Sequence, residues 1–248
     1  MQPQSHSNDP VSGLIRRIGS WRKVLFISTS LSIAFSLLSG LTALSFLNSI
    51  TAFIERTNSS LPYSEEYWTA LVNSETSYGV ASLFSLPALL AGIVSLIGWT
   101  HSNARLAFLL NEQNLSFGTG WAIGSWFVPI LNLFRPREIL KESLTAVSNS
   151  RFTPILNTWW VLFVINTIAD NILFRLQGNI DSAFEALGDN ATWPQYEEAL
   201  LDQKVLLALE VFSYWGLALI PSVLLLILLG KTKPEIGQQD AEPAPETA

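Results

Sequence analysis

Two carboxylates in this sequence stand where an ionised group is costly. Asp170 and Glu210 fall inside long apolar stretches. A charged side chain at membrane depth is rare, faces the interior of a helix bundle, and is paired or hydrated. On antiparallel helices the two lie near the same polar boundary, so adjacent helices can bring them to one depth, with Asn171 and Arg175 completing a polar cluster. Such a cluster can hold a cation or relay a proton. The plainer alternative is that both carboxylates mark the ends of shorter spans and touch water. Asn157 and Asn166 add polar groups to roughly one face of the helix that carries Asp170.

A second candidate is the run Phe117 to Phe134, FGTGWAIGSWFVPILNLF. Gly118, Gly120 and Gly124 allow close backbone approach, Pro129 frees a carbonyl, and Asn132 offers both a donor and an acceptor beside Trp126. Backbone that is not helical survives in lipid only when it is buried in protein or lines a wet cavity, so the segment could line a pathway or pocket. Alternatively the glycines pack against neighbouring helices and Asn132 bonds across them.

Other chemistry has little material to work with. The chain has no cysteine, and His6 and His101 are its two histidines. A Ser-His-Asp triad or a histidine metal pair would have to be built on His101. No G-x-S-x-G, P-loop or dinucleotide fingerprint occurs. No catalytic residue, metal site or cofactor is expected, and an enzyme is unsupported.

The elements that must position these residues follow from the solvent. The 248 residues are 49% hydrophobic and 14% charged, against about a quarter charged in soluble domains. After Lys23 no ionisable side chain appears until Glu55. A bilayer core needs roughly 20 apolar residues in a helix, because backbone groups in lipid must bond internally. Four stretches qualify: Val24 to Phe46, Val80 to Trp99, Ile155 to Phe174 and Val205 to Leu229. The first lacks the short core and cleavage site of a secretory signal and reads as a retained anchor. Pro87 and Pro221 lie inside spans, where kinks are expected.

Cytoplasmic loops are enriched in Lys and Arg, which gives the spans a direction. If Phe117 to Phe134 dips in and returns, 11 of the 14 basic residues lie inside and Arg56, Arg175 and Lys204 outside; if it crosses, the split is 7 to 7. The re-entrant arrangement, with both termini cytoplasmic in a cell membrane, is therefore favoured. Trp21, Trp99, Trp159 and Trp160 fall at span ends, as interfacial rings do.

The flanks are organised as well. Residues 1–23 form a basic cytoplasmic segment in which Val11, Leu14, Ile15 and Ile18 share one helical face; Arg16, Arg17, Arg22 and Lys23 could contact anionic lipid, or simply set orientation. Residues 24–230 form the membrane domain and 231–248 a disordered cytoplasmic tail. After Pro136, the spacing of Leu140, Leu144 and Val147 predicts a second amphipathic helix, and His101 to Asn114 reads as a continuation of the second span. The stretches Leu47 to Gly79 and Leu176 to Lys204 read as acidic outer loops, with Asn58 and Asn190 in N-x-S/T tripeptides. The net charge of −6 sits largely in those loops and the tail, and no nucleic-acid partner is expected.

The run Ser95 to Ser150 carries Asn103 and Ala104, then Trp121, Gly124, Trp126, Phe127, Pro129, Asn132 and Pro136 at a characteristic spacing. It resembles an uncharacterised bacterial membrane family, domain of unknown function 4328. The family pattern is similar to W-a-v-g-W-[FW]-[FV]-P-x-x-N-L-x-x-P, from which this chain departs by Ser125 between Gly124 and Trp126 and by Arg135 before Pro136. The resemblance implies a multi-pass bacterial membrane protein and transfers no catalytic or binding residue. The sequence as a whole predicts an all-α polytopic membrane helical bundle with four spanning helices and one broken, re-entrant or fifth spanning segment. Its expected role is that of a non-enzymatic membrane component in the lipid bilayer with an unknown protein partner. The alternative is a small-molecule or ion transporter or channel subunit using the polar intramembrane residues.

Overall fold

Where water is excluded, backbone amides and carbonyls can bond only to one another along a helix. In the computed structural model every one of the four long apolar stretches is helical. The structure describes residues 10–59, 65–111, 115–147, 152–188 and 191–232. Among the described residues there is no strand, and the α-helices are α1 (Pro10–Asn58), α2 (Glu65–Asn111), α3 (Trp121–Gly124), α4 (Arg135–Val147), α5 (Thr153–Ala186), α6 (Trp193–Phe212) and α7 (Leu219–Lys231). A 3-10 turn at Leu131–Leu133 precedes α4, and a π-helical stretch, Ser213–Ala218, makes α6 and α7 one continuous run. Pro221 lies in the first turn of α7, three residues after that stretch ends. Proline has no N–H and its ring crowds the preceding turn, which the wider π turn relieves.

Four helices are long and apolar enough to cross a membrane: α1, α2, α5 and the run Trp193–Lys231. Only 11–28% of the most apolar window in each is buried within the protein. Large side chains such as Phe26, Leu83, Phe84, Leu90, Phe174 and Phe212 face outward, the last two 82% and 64% exposed. A soluble protein rarely exposes an apolar surface of that extent, whereas lipid is its natural solvent.

At 49, 47, 34 and 39 residues, these helices exceed the roughly 20 residues that a bilayer core requires. Two expectations are corrected by that length. Residues 11–18 are not a separate interfacial helix but the first turns of α1, and the stretches expected as outer loops are helical apart from short connections. Average hydropathy hid those extensions because their apolar residues lie on one face: Ala43, Phe46, Ile50 and Ile54 carry a buried stripe straight past the end of the first span. The second span continues to Asn111, as expected. The tail expected to be disordered lies, after Thr232, outside the described residues.

The chain divides into two compact units: unit 1 holds residues 1–29, 90–160 and 224–248, and unit 2 holds 30–89 and 161–223. The core of unit 2 joins the α1 stripe to Leu71 of α2 and to Leu200 and Leu207 of α6. In unit 1, Ala104 of α2, Phe117, Ala122 of α3 and Ile139 of α4 pack together. The amphipathic helix predicted after Pro136 is α4, which buries Ile139, Leu140, Leu144 and Val147 on one face.

Residues 117–134 form a broken segment, as expected from their composition: a four-residue helix, turns through Pro129, and the 3-10 turn. The close approaches anticipated at its glycines are absent. A Cβ on Gly118 or Gly120 would meet nothing within 4 Å, and one on Gly124 only the Trp121 ring at 4.0 Å. Tight packing occurs at Gly98, where a Cβ would lie 2.6 Å from the Trp21 indole, and at Gly40, 2.0 Å from the indole nitrogen of Trp215.

Candidate functional site

In unit 2 each of the two carboxylates singled out from the sequence, Asp170 exposed and Glu210 half-buried, accepts a hydrogen bond from a hydroxyl on another helical element. Asp170 accepts a hydrogen bond from Asn166 one turn earlier on α5, at 2.8 Å, and from the Ser213 hydroxyl at 3.2 Å. Ser213 opens the π-helical stretch. Glu210, in the last turn of α6, accepts from the Tyr78 hydroxyl of α2 at 2.5 Å. The Tyr78 ring stacks on Phe46 with centroids 6.2 Å apart. Asp170 is thus bonded to the continuous α6–α7 run three residues beyond Glu210. Asn171 is exposed and donates to the Thr167 carbonyl of its own helix, and Arg175 is exposed. Among the described residues the ion pair present is Arg135 with Glu138, so Arg175 pairs with neither carboxylate. Tyr78 and Ser213 could not be singled out from sequence, since a tyrosine at a span edge and a serine in a span are ordinary in any membrane helix.

The broken segment of unit 1 is held by side chains from α4 and α5. The Trp160 indole N–H donates to the Leu133 carbonyl at 2.9 Å. Trp126 meets Trp160 edge to face at 5.9 Å, and Trp160 meets Trp159 at 5.6 Å. Arg137 places its Nε and Nη2 on Asn157 Oδ1 at 3.1 and 2.8 Å, which gives Asn157 a clamping role in place of the polar stripe expected from sequence. At the start of the segment the Ser116 amide and hydroxyl donate to Glu142 at 3.0 and 2.6 Å. Pro129 is exposed in its turn, while the side-chain oxygen of Asn132 is buried without a hydrogen-bond partner among the described residues. These contacts fix a non-helical backbone.

One concave feature was not anticipated. A cavity of about 960 Å³ opens within unit 2, between the helical extensions that the sequence presented as loops. Phe53, Trp68, Phe184, Trp193 and Tyr196 supply aromatic walls, and Tyr78, Ser82 and Glu210 stand at one end. Along α6 the lining runs from Trp193 to Glu210, roughly 25 Å at 1.5 Å per residue. Phe53 meets Trp68 and Trp193 with centroids 5.8 and 6.0 Å apart, so its ring ties two walls together. Asn58 fixes the other end: its amide donates to Glu197 at 2.6 Å and its carbonyl accepts from the Trp193 indole at 2.9 Å. With both amide atoms engaged, Asn58 is poorly disposed as a glycosylation acceptor; Asn190 lies outside the described residues. The turn of α6 beneath Trp193 is fixed by Gln195, whose side chain accepts from the Thr192 amide at 2.8 Å. Of the sequence-predicted residues, Glu210 lines this cavity, whereas Asp170, Asn171, Arg175 and the broken-segment residues are not in its wall.

A family model described as Domain of unknown function (DUF4328) matches residues 66–212. That interval contains the broken segment, α4, α5, both carboxylates and all of the cavity wall except Phe46 and Phe53. No curated protein and no solved structure matches the chain. Because the match takes in more than half of the 248 residues, the chain belongs to the family described as Domain of unknown function (DUF4328).

Proposed function

We propose that this chain is a non-enzymatic, multi-pass protein of a bacterial cell membrane that binds a small ligand in the unit 2 cavity and presents that state to a protein partner. The observation that carries the proposal is the cavity itself: about 960 Å³, walled by aromatic rings with polar and acidic side chains set among them. Ligand sites are characteristically concave, mostly apolar and sparingly polar. A transporter or channel would need a polar path joining Asn132 with Asp170 and Glu210; of these, Glu210 alone is in the wall, which favours binding over conduction. Both termini on the cytoplasmic side are supported by the basic residues of the N-terminal turns and of α4. Arg16, Arg17 and Lys23 are exposed on α1 and Arg22 is half-buried, a disposition suited to anionic headgroups.

Filling the cavity tests this function. Gly79 lines it, and a side chain there starts into open space, with nothing within 4 Å of its Cβ. Gly79→Trp should fold, because glycine is the weaker helix former, and should occupy the ligand's volume. In a thermal-shift screen of small molecules on the purified full chain, the wild type should be stabilised by some compounds that leave Gly79→Trp unmoved. Hits that stabilise both proteins equally, or no hits for the wild type, would overturn the proposal.

A further inference from the structure

The cavity has a chemical bias beyond its shape. Four carboxylates stand in its wall, Glu75, Asp181, Glu185 and Glu210, and no Lys, Arg or His does. None of the four is in an ion pair among the described residues; Asp181 accepts from Gln177 at 2.5 Å and Glu210 from Tyr78. The imbalance extends across the unit, where three basic residues, Arg56, Arg175 and Lys204, face twelve acidic ones. A cleft lined by one sign of charge concentrates counter-ions. Aromatic faces add their own preference, since the ring quadrupole attracts a cation placed over it, most strongly when the cation is weakly hydrated.

We propose that the occupant of this cavity is a hydrophobic organic cation, an amine or quaternary onium carrying an aromatic or aliphatic body. The inference rests on the cavity being a ligand site, as argued above. A metal ion would not use the rings, and among the described residues no three His, Asp or Glu side chains converge as a metal requires. An anion would be repelled by the wall. A neutral apolar ligand would fit the rings but leave the carboxylates without purpose. A body of drug-like size matches a cavity of about 960 Å³. Glu75, Asp181 and Glu185 are exposed, and so stand where an arriving cation first meets the wall.

The test uses the full chain in nanodiscs of zwitterionic lipid, with empty nanodiscs as the blank. Binding of tetraphenylphosphonium is measured against the similarly shaped anion tetraphenylborate and the neutral triphenylphosphine oxide. The expected result is saturable binding of the cation, with the anion and neutral probe at least about tenfold weaker. Glu75→Gln and Asp181→Asn, both at exposed positions that folding tolerates, should each weaken cation binding by about three- to tenfold. Equal binding of the cation and neutral probe, displaced by Gly79→Trp, would overturn the charge inference while leaving the cavity as a ligand site. Cation binding indifferent to both carboxylate variants would also overturn it. Absence of saturable binding by any probe would remove the inference and count against the cavity as a site.

Discussion

Two glycines decide how closely two pairs of elements meet. At Gly40 the nearest atoms to an added Cβ are those of the Trp215 indole, at 2.0 to 2.7 Å, and at Gly98 those of the Trp21 indole, at 2.6 to 2.9 Å. No methyl fits at those distances unless an indole moves. Trp215 also carries a buried indole N–H with no acceptor, so its place is set by packing alone. Gly40→Ala and Gly98→Ala should therefore each destabilise the protein by about 1–3 kcal/mol, the usual cost of overpacking. Gly13 and Gly79 offer the control, since neither has an atom within 4 Å of a new Cβ. Gly13→Ala should be neutral or stabilising by up to ~1 kcal/mol through helix propensity. Thermal unfolding in one detergent measures all three, and a Gly40→Ala protein as stable as wild type would show that the indole has another resting place.

Among the elements, the broken segment leans on its neighbours, because its backbone bonds close short turns and not one continuous helical ladder. Its Leu133 carbonyl is satisfied by Trp160, a residue of α5, and Trp126 rests on the same ring. Trp160→Phe keeps much of the ring contact but deletes the N–H, leaving a carbonyl short of a partner at about 1–3 kcal/mol. Amide hydrogen exchange should accelerate across 121–134 while the middle of α5 stays protected; uniform protection would mean that the segment stands by packing alone. The segment's irregularity was legible from sequence because Gly118, Gly120, Gly124 and Pro129 oppose a regular helix by backbone chemistry, which is local. Its clamps were not, because Trp160 with Leu133 and Arg137 with Asn157 are pairs set by the packing of separate helices. The same distinction explains the cavity. Apolar spans announce themselves by average hydropathy, whereas the amphipathic extensions that wall the cavity alternate Glu75, Tyr78 and Ser82, or Gln177, Asp181 and Phe184, and read as polar loops. The carboxylates at 170 and 210 stood out because a charge in an apolar run is conspicuous; that Ser213 and Tyr78 would receive them was a matter of tertiary structure.

At the scale of the whole molecule, charge is sorted along the chain. Eleven of the fourteen basic residues belong to unit 1, and Arg56, Arg175 and Lys204 to unit 2. The same split emerges if the chain crosses the membrane four times and residues 117–134 return to the side they entered from. Lys and Arg near span ends govern sidedness, and acidic residues contribute little. The segments around α4 and the N-terminal turns of α1 should then face the cytoplasm, and the connection between α1 and α2 the other side. The chain is free of cysteine, so single cysteines report without background. Ser59→Cys, at the exposed end of α1, and Thr145→Cys, on the exposed face of α4, mark the two sides. A membrane-impermeant maleimide applied to intact spheroplasts should label Ser59→Cys at once, and Thr145→Cys only after permeabilisation. If the broken segment crosses instead, Thr145→Cys will react in intact spheroplasts alongside Ser59→Cys. If Thr145→Cys reacts in intact spheroplasts and Ser59→Cys only after permeabilisation, the sidedness drawn from the basic residues is reversed, and the acidic cavity would then be filled from the cytoplasm.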